Sequence, residues 1–192
     1  DEMLNRFKIQ PKFCPQFHLS LQSGCDATLK RMNRHYDSAF YEDLVNRIRN
    51  TFTDAAITTD IMVGFAGETD DEFNQSLNFA QKIGFARAHI FAYSRRSGTV
   101  AAGLKNQVSN TEKQLRSHQM AEITKQTEIE FLKSQIGNVY PVLFENQENG
   151  VAEGYTPNYT RVIIDTEKAL TGQIYDVLIK SVQDDYCIGE LI

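Results

Sequence analysis

The chain has 192 residues, of which 41% are hydrophobic and 23% charged, and its formal net charge is −5. This is the composition of an ordinary globular protein, long enough for one large domain or two small ones. No window approaches about 18 uninterrupted apolar residues, which excludes a membrane-spanning helix.

Up to residue 93 the pattern predicts alternating strands and helices. The opening residues, DEMLNRFKIQ, lack an initiator Met and are typical of the tail of a helix, so we expect the chain to be cut from a longer one. Thr69 and Glu72 form a capping box, and Gly84 ends the helix that follows. The predicted strands are 17–22, 55–65 and 86–93, and the predicted helices begin near Asp26 as N-cap, at Ser38 and at Thr69.

Each predicted strand ends in polar residues or glycine, in the stretches QSG, VGFAGE and YSRRSGT. Strands that alternate with helices are typically parallel, and parallel α/β sheets bind ligands at the carboxyl ends of their strands. Three consecutive ends of this kind predict a shared pocket. The alternative is that these polar residues and glycines only form the turns that follow the strands.

The sequence pattern changes after a helix predicted over 111–135. Short strands follow, with turn signals about every 8–12 residues, which is typical of a small antiparallel β-barrel. Residues 1–133 carry 17 Lys and Arg against 16 Asp and Glu, whereas residues 134–192 carry 3 against 9. We therefore predict two domains, 1–134 and 135–192, and the acidic second one should not attract RNA by its overall charge.

The three cysteines, Cys14, Cys25 and Cys187, are widely separated. They form no CxxC or CxxxCxxC pattern, so local spacing encodes neither a zinc nor an iron–sulfur site. We expect no metal ligand in this chain, and Cys25 fits a small residue at a helix start. An odd cysteine count without a secretion signal favours the reducing cytoplasm.

Three motifs stand in order along the chain: HLSLQSGCDATLKRMNRHY (18–36), TTDIMVGFAGETDDEF (58–73) and HIFAYSRRSGT (89–99). They resemble the carboxyl-terminal half of the radical S-adenosylmethionine (radical SAM) methylthiotransferases. The segments VLFE, EGYTPNY and LTGQIYDVLI resemble the TRAM module that ends those enzymes. Within the family, SGCDATLKRMNRHY and GYTPNY are most similar to the MtaB type.

The resemblance implies the carboxyl-terminal part of a partial TIM-type barrel, followed by an OB-like TRAM barrel. In such enzymes a CxxxCxxC loop holds a 4Fe-4S cluster that cleaves S-adenosylmethionine, and an amino-terminal domain holds a second cluster. The MtaB type adds a methylthio group to C2 of N6-threonylcarbamoyladenosine, next to the tRNA anticodon. The implied partners are tRNA and the missing amino-terminal half, with no membrane, and the intact protein is expected to be monomeric.

This sequence contains no CxxxCxxC. The resemblance therefore implies that the ligands of both 4Fe-4S clusters lie outside the chain. We expect the chain to be inactive on its own and name no catalytic residue in it.

The resemblance also implies which residues face S-adenosylmethionine. Gln22 or Ser23 would hydrogen-bond its ribose or amino acid end, although Ser23 and Asp26 could instead only cap the next helix. An arginine after the third strand could hold a carboxylate or phosphate, or be a solvated surface residue. The residues assigned to the cofactor are Gln22, Ser23, Asp60, Val63, Gly64, Tyr93 and Arg96.

Residues 60–68 match the GxIxGxxE motif of radical SAM barrels loosely. Val63 and Gly64 would contact the adenine, since glycine allows close backbone approach. Asp60 lies in an otherwise apolar strand and needs either a partner, Arg95 or Arg96, or a place facing the barrel lumen. Glu68 stands one residue late for the Glu of that motif and could equally be a first-turn residue of the next helix, to which we assign it. The lone His18 and His89 are expected to be structural.

Two groups of residues are candidates for RNA contact. The basic helix supplies phosphate contacts, although a solvated helix face fits it equally. The barrel supplies aromatic rings for stacking, a cation, and an amide that could read a base edge. The residues are Lys30, Arg31 and Arg34 in the helix, and Phe144, Tyr155, Asn158, Tyr159 and Arg161 in the barrel.

Two other functions remain open at this stage. One is the RimO type of the same chemistry, which modifies an aspartate of a ribosomal protein; the MtaB-like GYTPNY speaks against it. The other is a non-catalytic RNA-docking module. The coding sequence upstream of residue 1 discriminates the last, because an enzyme requires CxxxCxxC there.

Overall fold

The computed structural model describes residues 2–192. The helices are α1 (Glu2–Lys8), α2 (Asp26–Arg31), α3 (Ser38–Thr51), α4 (Asp70–Ile83), α5 (Val100–Gly103) and α6 (Asn110–Ser134). The strands are β1 (Gln16–His18), β2 (Ala56–Val63), β3 (Arg87–Ala92), β4 (Val139–Glu148), β5 (Val151–Tyr155), β6 (Arg161–Asp165), β7 (Ile174–Gln183) and β8 (Tyr186–Leu191). None of these helices is long and apolar enough to cross a membrane.

Strands β1, β2 and β3 form one sheet in that order, and β2 pairs with β3 in parallel. Along β2 burial alternates: Ile57, Thr59 and Ile61 are fully buried, while Thr58 and Asp60 are half-buried. One face of the sheet therefore packs into the core and the other is partly open. The predicted α/β alternation with parallel strands is confirmed.

The first strand begins and ends earlier than predicted. β1 ends at His18, and the chain then follows β2 through isolated backbone hydrogen bonds. Leu19 N donates to Thr58 O (2.9 Å), and Gln22 N donates to Asp60 O (2.8 Å). The left-handed backbone of Gln22 (φ 67°) breaks the strand geometry at the last residue of the predicted strand.

The capping box of α4 is present, because the Thr69 side chain accepts from Glu72 N while the Glu72 side chain accepts from Thr69 N. The N-cap predicted for α2 was wrong. Cys25 takes that position without a side-chain cap bond. The Asp26 carboxylate instead accepts from Ser38 N (2.8 Å), at the start of α3.

The remaining strands close into a barrel with the order β4-β5-β6-β8-β7. The prediction of an antiparallel barrel was wrong in one pairing, because β6 and β8 run parallel. The barrel is therefore mixed. Its core contains Leu132, Tyr140, Val142, Phe144, Ala152, Val162, Ile164, Leu170, Val177, Ile179 and Cys187.

Packing divides the chain into two units. One contains the residues up to Phe17 together with Ile48–Ala56 and Glu128–Ile192, and the other contains His18–Arg47 and Ile57–Thr127. The domain boundary predicted between residues 134 and 135 stays a prediction, and residue 1 of the first predicted domain lies outside the described residues.

Candidate functional site

Three of the sequence motifs meet at the carboxyl edge of the sheet. Gln22 forms an isolated parallel bridge with Ile61. Tyr93, directly after β3, donates its backbone N–H to Val63 O (2.9 Å), and Gly64 follows Val63 at the end of β2. The structure thus brings Gln22, Gly64 and Tyr93 to one edge, the position where parallel sheets bind ligands.

Ser23 and Val63 do not fit the side-chain roles predicted for them. Ser23 is fully buried, and its hydroxyl accepts from Cys25 N (3.2 Å) in a local turn. Val63 is 1% exposed, because its position along β2 places it on the buried face of the sheet. Both residues shape the edge through their backbone rather than presenting a side chain there.

Glu68 supports the loop that follows β2. Its carboxylate accepts from Gly64 N (2.6 Å) and from Arg116 Nη1 (2.8 Å), and the side chain is almost fully buried. Burial raises the pKa of Glu68, while the Gly64 N–H and the Arg116 guanidinium oppose that shift. The assignment of Glu68 to the first helical turn was wrong, because Thr69 is the N-cap and α4 begins at Asp70.

Arg116 of α6 neutralises this buried carboxylate. It also donates to Asp70 Oδ1 (2.6 Å) and Glu112 Oε1 (2.9 Å), while its own side chain is 4% exposed. The buried cation is therefore balanced by carboxylates from the loop, from α4 and from its own helix. This cluster fixes the loop at Gly64 to α6.

Asp60 lies on the partly open face of the sheet. Its carboxylate accepts from Ser20 Oγ (3.1 Å) and lies 3.2 Å from His18 Nε2. The predicted arginine partners were wrong: Arg95 Nε donates to Ala102 O instead. Arg96 is exposed beyond the end of β3. The alternative, an Asp60 facing the open side of the sheet, fits the structure.

The basic helix α2 presents less free charge than its sequence indicated. Arg31 donates to both carboxylate oxygens of Glu72 (2.8 and 2.5 Å). These bonds raise the pKa of Arg31 and lower the pKa of Glu72. Lys30 and Arg34 are exposed. Phosphate contact therefore fits Lys30 and Arg34 better than Arg31.

Two of the predicted RNA contacts in the barrel are buried residues. Phe144 is fully buried, so its ring has no free face for a base. Asn158 is 1% exposed; it donates to Asp54 O (2.8 Å) and Gln135 Oε1 (3.0 Å) and accepts from Thr160 Oγ1 (2.8 Å). Its amide is occupied in holding the 156–160 turn. The structure contradicts the roles predicted for both side chains.

Tyr155 and Tyr159 are stacked, with ring centroids 4.7 Å apart and an interplanar angle of 18°. Tyr159 is 67% exposed and has a left-handed backbone (φ 67°). Arg161 is paired with both carboxylate oxygens of Glu153 (2.8 Å each). The tyrosines line a groove of about 520 Å³ whose other walls include Lys12, Phe13, Pro141, Leu143, Pro157 and Ile174.

Lys113 and Arg116, together with His18 as the partner of Asp60, were missed by the sequence reading. A signal was present in α6: Lys113, Arg116 and Met120 share the spacing of one buried helical face. Charged residues on such a face indicate buried ion pairs or a ligand.

The cysteines do not gather. Cys25 and Cys187 are buried and Cys14 is exposed. Burial raises the pKa of the Cys187 thiol to about 11. Within residues 2–192, no group of three or more His, Cys, Asp or Glu side chains is arranged to hold a metal ion.

Residues 1–80 match the radical SAM superfamily. Coproporphyrinogen III oxidase (HemN) from Escherichia coli, described as a radical SAM enzyme, superposes with a TM-score of 0.56 at 14% identity. The match covers 81% of this chain and 43% of that enzyme, and it supports the fold alone.

The chain is homologous over its whole length to tRNA methylthiotransferases. It is 37% identical over 190 residues to the threonylcarbamoyladenosine tRNA methylthiotransferase MtaB of Thermotoga maritima, covering 98% of this chain and 43% of the relative. It is 31% identical to MtaB of Bacillus subtilis, covering 100% and 44%.

The tRNA-2-methylthio-N(6)-dimethylallyladenosine synthase of Endomicrobium trichonymphae is 32% identical, covering 100% of this chain and 46% of that relative. The chain therefore spans somewhat less than half the length of these relatives. The names of these relatives divide between two modified adenosines, threonylcarbamoyladenosine and dimethylallyladenosine.

Proposed function

We propose that the chain is the carboxyl-terminal part of a radical SAM methylthiotransferase of the MtaB type. It would act in adding a methylthio group to C2 of N6-threonylcarbamoyladenosine in tRNA. The observation that carries this proposal is the meeting of Gln22, Gly64 and Tyr93, one from each ordered motif, at the carboxyl edge of a parallel sheet. The similarity of SGCDATLKRMNRHY and GYTPNY to the MtaB type favours this substrate.

The residues at this edge fit S-adenosylmethionine. The Tyr93 hydroxyl is buried and lacks a hydrogen-bond partner in the described part of the chain, as expected of a group that awaits a ligand. Gln22, Asp60, Gly64, Tyr93 and Arg96 are the residues proposed to face the cofactor. When bound and reduced by a cluster, the cofactor supplies the radical that activates the C2–H bond.

The residues present do not fit a 4Fe-4S cluster, because the sequence offers no CxxxCxxC. We assign the cluster ligands to a preceding segment and propose that this chain alone is inactive. Anaerobic reconstitution with iron and sulfide should leave the purified chain without stoichiometric iron. A 4Fe-4S absorption and electron paramagnetic resonance signal in the chain would contradict this.

For tRNA contact we propose the exposed Lys30 and Arg34, together with the stacked Tyr155 and Tyr159 of the mixed barrel, which we assign to the TRAM type. Residues 134–192 carry 3 Lys and Arg against 9 Asp and Glu, so base stacking on the tyrosines rather than overall charge would supply the affinity for RNA. We further propose a monomeric protein of the cytoplasm with domains at 1–134 and 135–192.

The test is a deletion of the gene in its source organism. Total tRNA should lose the methylthio derivative of threonylcarbamoyladenosine while retaining threonylcarbamoyladenosine itself, measured by nucleoside mass spectrometry. Loss of the methylthio derivative of dimethylallyladenosine instead would identify dimethylallyladenosine as the substrate. Intact tRNA nucleosides with an unmodified ribosomal aspartate would favour the RimO type, and no change in either would favour a docking module.

A further inference from the structure

Lys113 is a lysine whose side chain is largely buried and whose ammonium has no counter-ion among residues 2–192. It is 7% exposed and lies in the first turn of α6, where its backbone N–H donates to Ser109 O (3.0 Å). Among residues 2–192 its ammonium makes no ion pair, and its charge contacts only the Tyr93 ring, 5.2 Å from Nζ to the centroid. A cation in the first turn of a helix is unfavourable without an anion, because that end of the helix is itself positive.

The acidic side chains nearby are already used. Arg116, one helical turn after Lys113, is paired with Glu68, Asp70 and Glu112. Two cations on the same face of α6 thus differ sharply, since Arg116 has several carboxylates and Lys113 has none among the described residues. Fold stability alone explains Arg116 but leaves the placement of Lys113 unexplained.

Tyr93 likewise carries a polar group that has no partner among the described residues. Its side chain is largely buried, packed against Phe65 with ring centroids 5.0 Å apart. Its hydroxyl oxygen is inaccessible to solvent and has no hydrogen-bond partner in the region that the structure describes. An unpaired buried hydroxyl costs free energy that a bound acceptor would recover. The Lys113 ammonium lies over the ring that carries this hydroxyl, and neither group has an acceptor among the described residues.

Both groups stand at the carboxyl edge of the sheet. Tyr93 directly follows β3, and the Lys113 side chain packs against Gly64 so closely that an added Cβ there would overlap Lys113 Cγ. We propose that Lys113 Nζ and Tyr93 Oη together bind a carboxylate group at this edge. An ammonium beside a phenol hydroxyl offers a charge-assisted and a neutral hydrogen bond to its two oxygens.

This subsite rests on the proposed function, which supplies two carboxylates. One is the methionine end of S-adenosylmethionine, and the other is the threonyl group of threonylcarbamoyladenosine. Dimethylallyladenosine has no such group. If the subsite takes the threonyl carboxylate, it selects between the two classes of adenosine that divide the relatives.

Calorimetric titration of the purified chain separates the two sources. The cofactor arm compares S-adenosylmethionine with methylthioadenosine, which lacks the carboxylate. The substrate arm compares anticodon stem-loop RNA carrying threonylcarbamoyladenosine with the same RNA carrying adenosine. The variants are Lys113→Met, Lys113→Arg and Tyr93→Phe, with the exposed Lys105→Met as a matched control and circular dichroism to verify folding.

Lys113→Met should weaken one carboxylate ligand at least about tenfold, the value of a charged hydrogen bond, and leave its carboxylate-free counterpart unchanged. Tyr93→Phe should weaken the same ligand, Lys113→Arg should restore part of the affinity, and Lys105→Met should change nothing. The arm that responds identifies the source.

Unchanged affinity for both carboxylate ligands, or an equal loss for their carboxylate-free counterparts, would overturn the subsite while leaving the proposed function intact. If the wild-type chain binds none of the four ligands, the subsite is overturned, whereas the proposed function is decided separately by the gene deletion. If Lys113→Met does not fold, Tyr93→Phe and Lys113→Arg decide by the same comparison.

Discussion

The Glu68 carboxylate accepts a hydrogen bond from the backbone N–H of Gly64 (2.6 Å), and Arg116 holds the same oxygen at 2.8 Å. Removing the cation leaves this carboxylate buried and uncompensated. Arg116→Met should therefore lower the free energy of unfolding by about 3–5 kcal/mol, measured by urea denaturation.

The control for Arg116→Met is Lys82→Met, which removes an exposed cation paired with Glu42 (2.7 Å) and should cost less than about 1 kcal/mol. Equal effects of the two substitutions would show that the Glu68 cluster contributes nothing beyond a surface pair.

Gly64 and Gly84 provide a matched pair for the packing at the loop. Both have left-handed backbones (φ 70° and 65°), but an added Cβ meets Lys113 at Gly64 and nothing within 4 Å at Gly84. Gly84→Ala should cost about 1–2 kcal/mol from the backbone alone. Gly64→Ala should cost about 1–3 kcal/mol more, because the Lys113 side chain must move. Thermal unfolding of both variants measures the difference, and equal costs would contradict the close contact.

The Arg31–Glu72 pair makes the free energy of unfolding depend on pH. Hydrogen bonds from Arg31 hold the pKa of Glu72 below its ordinary value of 4.5 in the folded chain. The pair therefore contributes stability that is present above about pH 4.5 and is lost as the pH falls through the lowered pKa. Glu72→Gln should flatten the fall of the free energy of unfolding below that pH. Glu130→Gln, at an exposed position of α6, should leave the profile unchanged.

The sequence predicted those parts of the molecule that local chemistry decides. The capping box at Thr69 and the helix end at Gly84 depend on neighbouring residues, and the parallel sheet follows from alternating periodicities. The polar strand ends located the common edge, because parallel strands carry their carboxyl ends to one side.

Local sequence patterns could not predict the contacts between distant segments. Asp60 pairs with His18, and Glu68 pairs with Arg116, across separations that no local pattern encodes. Phe144 and Asn158 were predicted to contact RNA because their chemistry suits RNA, yet Phe144 lies in the barrel core and Asn158 is buried in the 156–160 turn. A parallel β6–β8 pair likewise depends on how the barrel closes rather than on turn signals.

The stacked tyrosines allow RNA contact to be separated from folding. Tyr159→Asn removes the exposed ring, and Asn tolerates the left-handed backbone at this position. Affinity for single-stranded RNA should fall by about 1–3 kcal/mol, measured by fluorescence anisotropy, with little change in melting temperature. The control Phe40→Ala removes another exposed ring, on α3, and should leave the affinity unchanged. Undiminished binding by Tyr159→Asn would remove the groove from the RNA surface.

The most direct test of the central proposal uses the complete product of the gene, reconstituted with its clusters. It is incubated with S-adenosylmethionine, a reductant, and anticodon stem-loop RNA carrying either threonylcarbamoyladenosine or dimethylallyladenosine. Mass spectrometry of the digested RNA should show a methylthio group on threonylcarbamoyladenosine alone. A methylthio group on dimethylallyladenosine alone, or on neither nucleoside, would contradict the proposal.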